Sequence, residues 1–544
     1  MTKKRILFAS EASFLSTGYA TIYRELIKRF YAAGDYDVAE FGNYGRSNDP
    51  RAVALPWKFY GVLPQNDHEM QAYKSNEINQ FGAYKIEAVL AEYQPDIVYS
   101  ILDPWMMMHL KNNRYRNNYK LVLTPTVDSA PQKKEWIDGL FRNADALTTY
   151  SRYAKKVLES DGLKIQDVTS PGVDIDVYKP MDKFAIKDKW CLKKDLLVIG
   201  TVMRNQRRKL FPDLFNAYAE LRKKYKDVDE VKRSVLYCHT SWPDLGWDLP
   251  ELLTRSGIQR HVIFTYKCKE CKSCFLSWFI PTANPQAPAL CRICGKDAAM
   301  MPNTHDGVSV EEMAEIYNLM DIYVHPAICE GWGMPIAESK SCGVPGLYQN
   351  YSAVEDHVEN GGGLAIDIAH SFTEAETMAI RTYPSIQSMV KGMHYLLTNR
   401  KERIKLGEKA RKVVESLHTW DIMYNKLKAV FDKLPENNRM SGWNKPPSII
   451  SYPSEVPNGL QNHDFIFWCY KNILKRDPDE KGFNDWMSSL AKGTDRQQVL
   501  NFFKNVVNTD NQFESIRWQN SLQIRNVERV EVNVETDILT GAII

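Results

Sequence analysis

The sequence has no long hydrophobic run and little net charge, and each absence excludes a class of protein. No apolar stretch in its 544 residues approaches the roughly 18–20 residues that span a bilayer. The early apolar run ILFA is shorter than the roughly 7–15 residues of a signal peptide. The formal net charge of +3 does not indicate a broad nucleic-acid-binding surface. We therefore expect a cytoplasmic protein without a membrane-spanning segment.

Cysteine is scarce outside one segment, CKECKSCFLSWFIPTANPQAPALCRICG, which holds five of the ten cysteines. This clustering favours metal binding over a secreted disulfide framework. Two Cys-x2-Cys pairs match a structural Zn²⁺ site, and four thiolates close the metal's coordination shell. Cys268 is an alternative ligand, and unmetallated thiols are the alternative to a site. The ligands that we predict are Cys271, Cys274, Cys291 and Cys294.

Most of the chain alternates apolar strand patterns with amphipathic helix patterns. RILFAS followed by TIYRELIKRFYAAG begins one such unit, and LLVIGTVM followed by FPDLFNAYAELRKKY begins a second. Two units in series predict an α/β fold of two Rossmann-like domains that face a cleft. We predict these segments: an N-terminal domain (1–178), a second domain (179–400) with the cysteine insertion at 266–300, closing helices (401–434), a linker (435–459), a helical module (460–515) and a tail (516–544).

A pair of glutamates frames a turn after the predicted strand DIYVHP. In CEGWGMPIAESKSCG, Glu330 precedes two glycines, and Glu338 lies just inside a predicted helix. The glycines let a ligand approach the main chain, and Pro335 suits the first helical turn. The helix start favours an anion such as phosphate, whereas carboxylates accept hydrogen bonds from sugar hydroxyls. The pattern predicts a ligand with a diphosphate in the middle and a sugar at each end.

Positive charge for such a ligand lies in GTVMRNQRRKL, the loop after the first strand of the second domain. Arg204, Arg207, Arg208 and Lys209 fall within six residues. Arginine binds phosphate through two parallel hydrogen bonds, and lysine adds a point charge. The alternative is a solvated helix start that binds nothing, because basic surface runs are common.

With these two loops, the sequence resembles the retaining glycosyltransferases of two-Rossmann (GT-B) architecture that carry an E-x7-E signature. EGWGMPIAE carries the signature, and RNQRRK has the arginine-to-lysine spacing of the family's diphosphate clamp. SPGVDIDVYKP, EEMAEIYNLMDIYVHP and CGVPGLYQNYSAVEDHVENGGG also fit, and the resemblance covers roughly residues 4–430. It implies transfer of a sugar from a UDP- or GDP-sugar, with retention of anomeric configuration. The acceptor is a glycan, a protein or modified DNA, bound on the side of the first domain.

The resemblance assigns roles to the matching residues. Arg204 and Lys209 hold the donor diphosphate, Glu338 accepts hydrogen bonds from the ribose, and Glu330 faces the transferred sugar. Gly18, in LSTGYA, brings first-domain backbone to the diphosphate. Cations and a helix dipole stabilise the leaving group, so no catalytic metal is expected. The main-chain amides that touch phosphate or sugar are those of Gly331, Trp332, Gly333 and Met334.

One position departs from the family, which often has histidine after a first-domain strand. The matching run LTPTVDSAP places Asp128 there. A carboxylate could stabilise positive charge on the sugar or take the acceptor's proton, and capping of the next helix is an equal alternative. Asp103 and His109, in ILDPWMMMHL, are weaker candidates.

The C-terminal module resembles a small helical domain of unknown function with an RxPDxxGxxxW core. Arg476, Pro478, Asp479, Gly482 and Trp486 fall in place. Packing of a helical hairpin explains these residues as well, and the functional alternative is docking of an acceptor or partner. Two other functions compete with sugar transfer to a general acceptor. One is glycosylation of hydroxymethylated bases in DNA, and the other is a binding scaffold without turnover.

Overall fold

Seven parallel strands form the sheet of the first domain. The computed structural model describes residues 3–111, 113–303, 306–435, 443, 456–457, 459–474 and 477–510. The strands are β1 Lys4–Glu11, β2 Tyr36–Asn43, β3 Lys58–Gly61, β4 Ile97–Ser100, β5 Lys120–Leu123, β6 Ala146–Thr149 and β7 Asp167–Val168. Their order is β3-β2-β1-β4-β5-β6-β7. Ile6, Leu7 and Phe8 of β1 are fully buried, because both faces of the sheet are covered.

The helices of the first domain lie between these strands. They are α1 Gly18–Ala33, α2 Pro50–Val53, α3 Asp67–Lys74, α4 Ile86–Tyr93, α5 Lys134–Gly139 and α6 Arg152–Ser160. Short 3-10 helices cover Glu77–Phe81, Pro104–Lys111, Arg116–Asn118 and Phe141–Asn143. Helix α1 begins at a side-chain cap, since Thr17 Oγ1 accepts a hydrogen bond from the Ala20 N–H (3.2 Å).

The second domain repeats the arrangement around a nine-stranded sheet. Its strands are β8 Leu197–Val202, β9 Ser234–His239, β10 Val262–Cys268, β11 Cys274–Trp278, β12 Ala289–Leu290, β13 Asp297–Met300, β14 Ile322–His325, β15 Gly346–Gln349 and β16 Gly363–Ile366. The parallel part has the order β10-β9-β8-β14-β15-β16. The cysteine segment supplies β11, β12 and β13, which extend one edge in antiparallel pairing.

The helices of the second domain are α7 Lys183–Lys189, α8 Phe211–Lys224, α9 Asp229–Lys232, α10 Leu249–Ser256, α11 Val310–Leu319, α12 Met334–Ser341, α13 Val354–Asn360, α14 Ile386–Thr398 and α15 Arg400–Leu417. Residues Arg207–Lys209 and Gln259–His261 form 3-10 helices. Helix α11 begins with a capping box between Ser309 and Glu312. A separate two-stranded sheet pairs β17 Ile368–Thr373 with β18 Ile380–Pro384.

The chain returns to the first domain through α16 Trp420–Asp432. The Phe30 and Tyr424 rings lie 4.8 Å apart, and Arg29 pairs with Asp421 at 2.7 Å. Three further helices, α17 Asn462–Asn472, α18 Glu480–Ala491 and α19 Arg496–Asp510, share a small core that includes Phe465, Tyr470 and Phe503. Arg476, the predicted tail and most of the predicted linker lie outside the described residues. None of the described helices combines the length and apolar character needed to cross a bilayer.

The sheet orders locate two topological switch points. In the first sheet the strand order runs outwards in opposite directions from the adjacent pair β1 and β4. In the second sheet it does so from the pair β8 and β14. Ligands of open α/β sheets bind outside the carboxyl ends of strands at such points. The fold thus directs attention to the loops that follow these four strands.

Candidate active site between the two domains

A cavity of about 640 Å³ lies between the two domains, at both switch points. Its second-domain wall comes from the loops after β8 and β14 and the start of α12. Its first-domain wall comes from the loops after β1, β4 and β5 and the start of α1. The predicted residues on the cavity wall include Gly18, Asp128, Arg204, Glu330, Gly331 and Met334.

Glu330 is a buried carboxylate held by cations from the basic loop. Its Oε1 accepts a hydrogen bond from Lys209 Nζ, and its Oε2 accepts one from Arg208 Nη1 at 3.0 Å. His325 Nε2 lies 2.8 Å from Oε1. Burial opposes ionisation, but the charges of Lys209 and Arg208 hold the pKa of Glu330 well below its usual range. The predicted basic loop and the glutamate turn therefore meet.

The same burial acts on the cations. Desolvation and the neighbouring Arg208 charge lower the pKa of Lys209 to about 8, against the opposing pull of Glu330. Lys209 is 8% exposed, so its ammonium group sits at the base of the wall rather than on a solvated surface. Arg208 lines the cavity directly. The buried Lys209 does not fit the alternative of a solvated helix start, whereas the exposed Arg207 does.

Arg204 has a different partner from Lys209. Its Nε and Nη2 atoms donate to the two carboxylate oxygens of Asp244 at 3.0 and 3.1 Å. Asp244 also accepts a hydrogen bond from Ser241 Oγ. This bidentate pair fixes the guanidinium of Arg204 on the cavity wall, next to Gln206 and Arg208.

The glutamate turn becomes helix α12 at Met334, with Pro335 in the first turn. Gly333 precedes the helix with φ of 89°, a left-handed conformation that favours glycine. Gly331 approaches the first domain, since a Cβ atom there would lie 2.2 Å from Thr126 Cγ2. The turn thus brings main chain of the second domain close to Thr126 of the first.

Glu338 is half-buried and outside the cavity lining, whereas Trp332 is buried. Glu338 Oε2 accepts a hydrogen bond from Tyr317 Oη at 2.7 Å, and burial raises the pKa of Glu338 to about 6. The Trp332 side chain is buried against His357, with ring centroids 4.3 Å apart. Trp332 therefore offers its backbone to a ligand while its indole group packs the wall from behind.

The first-domain wall carries carboxyl groups at the ends of strands. Glu11, the last residue of β1, accepts a hydrogen bond from Thr17 Oγ1, and burial raises its pKa to about 7. Asp103, after β4, accepts a hydrogen bond from Tyr19 Oη at 2.8 Å, and burial raises its pKa to about 6. Desolvation by the cavity wall thus brings both pKa values towards neutrality.

Asp128 lies on the same wall and contacts the second domain. Its Oδ1 accepts a hydrogen bond from Arg381 Nη1 at 2.9 Å, and its Oδ2 lies 3.3 Å from Cys329 Sγ. The alternative role as a helix cap is wrong, because Lys133 precedes α5 and makes no side-chain cap. His109 is a buried side chain of a 3-10 helix whose pKa burial lowers to about 4, and it does not line the cavity.

The cysteine insertion forms a quartet that differs from the predicted one by a single residue. The Sγ atoms of Cys268, Cys271, Cys291 and Cys294 lie within 4.8 Å of one another. The predicted ligand Cys274 is wrong, and its alternative Cys268 takes its place. Cys274 pairs with Lys267 across β10 and β11, so its side chain shares the face of Lys267 and opposes that of Cys268.

The quartet has dimensions that suit a tetrahedral metal ion. The Cys268–Cys294 and Cys271–Cys291 Sγ distances are 3.7 and 3.8 Å. A tetrahedron of thiolates about 2.3 Å from Zn²⁺ requires sulfur–sulfur distances of about 3.8 Å. Four close cysteines could thus hold a structural metal ion.

Sequence reasoning missed Glu11 and gave no role to Arg208. A signal for Glu11 was present, because a carboxylate ends the first strand of a doubly wound sheet, where ligands bind. Arg208 was within the basic run, but spacing alone could not show that it, and not Arg204, pairs with Glu330. Both residues line the cavity.

Two sequence profiles match parts of the chain. Residues 303–413 match "Glycosyl transferases group 1", a segment that contains the glutamate turn. Residues 452–513 match a domain of unknown function, DUF4214. No curated protein sequence matches this chain.

Solved structures share the two-domain architecture. Sucrose-phosphate synthase from Thermosynechococcus elongatus matches with a TM-score of 0.55 and 14% identity, over 79% of this chain and 99% of that one. HepE from Anabaena, solved with UDP and glucose, matches at 0.54 and 12% identity, over 79% and 100%. An Escherichia coli structure titled trehalose-6-phosphate, bound with UDP-2-fluoro glucose, matches at 0.52 and 12%, over 80% and 100%. At these identities the likeness shows the fold, and the predicted GT-B fold is confirmed.

Proposed function

This chain carries a glycosyltransferase domain within a GT-B fold. We propose that it transfers a sugar from a nucleotide-diphosphate sugar to an acceptor hydroxyl with retention of anomeric configuration. The observation that carries this proposal is Glu330 ion-paired with Lys209 and Arg208 beside the start of α12. Cations, an anion-favouring helix start and a carboxylate for sugar hydroxyls then meet in one cavity.

The donor lies across the cavity in this proposal. Arg204, Arg208 and Lys209 hold its diphosphate, with main-chain amides of Gly331–Met334 and of Gly18 at the start of α1. Glu338 accepts hydrogen bonds from the ribose, and Glu330 from the transferred sugar. A UDP-sugar is the first choice, supported by the similar structures that hold UDP or its sugars, and a GDP-sugar is the second.

In the reaction, the bond between the sugar's anomeric carbon and the diphosphate oxygen breaks, and a bond to the acceptor oxygen forms on the same face. The cations receive the negative charge of the departing diphosphate. The acceptor's proton passes to that diphosphate or to Asp128, which is 34% exposed and lies on the opposite wall.

A thermal-shift screen over UDP- and GDP-sugars tests the proposal. The true donor binds only the folded state, so it should raise the melting temperature, and slow hydrolysis should follow. NMR of the first-formed product anomer then reports retention or inversion. If no nucleotide sugar stabilises the protein, the proposal is wrong; binding without any turnover would instead support the scaffold function.

We further propose that the cysteine quartet binds one structural Zn²⁺ per chain. Elemental analysis of the wild type should find about one zinc ion per chain. Cys268→Ser should lose most of this zinc. Cys274→Ser is the matched control, because Cys274 begins β11 three residues after the ligand Cys271 and lies outside the quartet, and it should retain the zinc. Equal zinc content in the two variants would contradict the quartet, and a metal-free wild type would remove the site.

A further inference from the structure

A β-hairpin inserted between β16 and α14 reaches from the second domain to the first. We call residues 368–384, with β17 and β18, the interdomain hairpin. It pairs with neither large sheet, and its β17 residues are all exposed. The Ile380 N–H donates a hydrogen bond to the Ala130 carbonyl of the first domain at 2.8 Å. The hairpin therefore contacts the loop that carries Asp128.

The hairpin also forms hydrogen bonds on the side of the cavity that carries the glutamate turn. Thr382 Oγ1 donates to the Ile328 carbonyl at 3.3 Å and accepts a hydrogen bond from Gln349 Nε2 at 2.8 Å. Ile328 lies two residues before Glu330. The hairpin thus contacts both the loop after β5, which carries Asp128, and the loop after β14, which carries Glu330.

Arg381 of β18 sits where these loops meet. Its Nη1 lies 2.9 Å from Asp128 Oδ1 and 2.8 Å from Cys329 Sγ, and its Nη2 lies 2.9 Å from Glu374 Oε2. The side chain of Arg381 is only 11% exposed. Glu374 is fixed in turn by Thr377 Oγ1, which donates to the same oxygen. The planar guanidinium therefore has its orientation set from within the hairpin.

The contact with Arg381 orients the Asp128 carboxylate and leaves part of it accessible from the cavity. The carboxylate of Asp128 remains 34% exposed and lines the cavity, so a substrate can reach it. A lysine could supply the charge of Arg381, but a single ammonium cannot bridge Asp128 and Glu374 with a fixed fork. Arginine at this position is suited to aiming a carboxylate.

We infer that Arg381 is a positioning residue, which holds the Asp128 carboxylate of the first domain against the glutamate turn of the second. The inference rests on the proposed function, because it gives Asp128 a part in sugar transfer. In this inference, the interdomain hairpin fixes the distance between the first-domain wall and the second-domain wall of the cavity.

Steady-state donor hydrolysis with a double-mutant cycle tests the inference. Arg381→Ala should lower kcat by about 10- to 100-fold, the effect of misplacing a reacting group by about 1 Å, and change the donor KM by less than about threefold. Arg381→Lys should recover part of the loss. Because Arg381 acts through Asp128, the Asp128→Asn/Arg381→Ala double variant should be no slower than Asp128→Asn alone.

A surface arginine gives the matched control. Arg255 pairs with Glu251 at 2.7 Å but is 73% exposed and lies on α10, away from the cavity lining. Arg255→Ala should leave kcat and the melting temperature unchanged. Independent, multiplicative losses in the Asp128 and Arg381 variants would overturn the inference, as would an unchanged kcat in Arg381→Ala.

Hydrogen exchange of the ligand-free protein separates this inference from the proposed function. In Arg381→Ala, the Ile380 amide and the peptide that contains residues 128–132 should exchange at least about tenfold faster, because the guanidinium no longer joins the loops. Unchanged exchange would overturn the positioning role even in an active enzyme. A wild type that hydrolyses no donor would remove the proposed function, and exchange would still decide whether Arg381 orders the Asp128 loop.

Discussion

The second-domain wall of the cavity surrounds Glu330 with Arg208 and Lys209, whereas the first-domain wall presents Glu11 and Asp103. Burial desolvates Glu330, Glu11 and Asp103 alike, yet their pKa values shift in opposite directions. Cations within hydrogen-bonding distance lower the pKa of Glu330, while burial without a paired cation raises the pKa values of Glu11 and Asp103. The partner, rather than burial, therefore decides the charge of a carboxyl group in this cavity.

The two walls therefore suit different parts of a reaction. A cationic wall beside a helix start suits a diphosphate, the group that the proposed donor carries. A wall of carboxyl groups, with Arg51 already paired with Asp49 at 2.8 Å, suits hydroxyl groups and proton transfer. We call the second-domain wall, with Arg208, Lys209 and Glu330, the donor wall after the proposed function, and the first-domain wall, with Glu11, Asp103 and Asp128, the acidic wall.

Lys209→Ala should have the largest effect, because it removes a desolvated cation from the donor wall. Removal of one preorganised charge partner typically costs about 10²- to 10³-fold in kcat. The fold should survive, since Arg208 and His325 remain 3.0 and 2.8 Å from Glu330. The rate of donor hydrolysis and a thermal melt measure the two effects.

Arg207→Ala is the matched control for this variant. Arg207 shares the 3-10 turn Arg207–Lys209 but is exposed. Its loss should change kcat by less than about threefold, because water screens its charge. Comparable losses in the two variants would show that the whole basic run acts as a diffuse field, and the distinct donor wall would disappear.

Glu338→Gln should have a smaller effect, on donor binding alone. The amide keeps the size of the side chain and an acceptor for the Tyr317 hydroxyl, but it lacks the charge that strengthens hydrogen bonds to ribose. The loss of about 1.5–2 kcal/mol corresponds to roughly a 10- to 30-fold higher Kd. Calorimetry should show this with kcat nearly unchanged, and Glu359→Gln, at an exposed side chain on α13, should leave Kd as it is.

The pH dependence sharpens the test of Glu338. Its pKa of about 6 means that the carboxylate forms as the pH rises through 6. Wild-type donor affinity should therefore increase between about pH 5 and pH 7, and the increase should be smaller in Glu338→Gln. Parallel pH profiles in the two proteins would exclude Glu338 as the ribose acceptor.

Sequence patterns predicted the donor wall better than the acidic wall for a physical reason. The donor wall comes from two continuous runs, RNQRRK and EGWGMPIAE, in which glycine, proline and charge stand at fixed local spacings. The two Rossmann-like domains followed in the same way from alternating strand and helix patterns. Glu11, Asp103 and Asp128 come from the end of β1 and from the loops after β4 and β5, and only the strand order brings them together.

Contacts that depend on pairing could not be predicted. The choice of Cys268 over Cys274 follows from the register of β10 and β11, which Cys-x2-Cys spacing does not encode. The pairing of Arg204 with Asp244 joins loops 40 positions apart, and Arg381 approaches Asp128 across 253 positions. Local spacing specifies which chemistry is present, whereas tertiary packing specifies which groups meet.

Glu11→Gln should have the smallest effect, limited to the pH dependence of stability. The folded-state pKa of Glu11 is raised to about 7, so its contribution to stability is present below the unfolded-state pKa and is lost as the pH rises through 7. The variant lacks this titration. Its free energy of unfolding relative to wild type should therefore rise between pH 5 and pH 8 by about 1 kcal/mol, less than the full shift implies because the cavity admits water.

Urea unfolding at the two pH values measures this difference. Glu135→Gln, at an exposed position on α5 and away from the cavity lining, is the control and should show no such trend. If Glu11→Gln and Glu135→Gln behave alike, Glu11 is ionised in the folded protein at pH 5. The acidic wall would then be negatively charged opposite the cations of the donor wall. The two walls would differ in position, but not in the direction of the pKa shifts of their carboxyl groups.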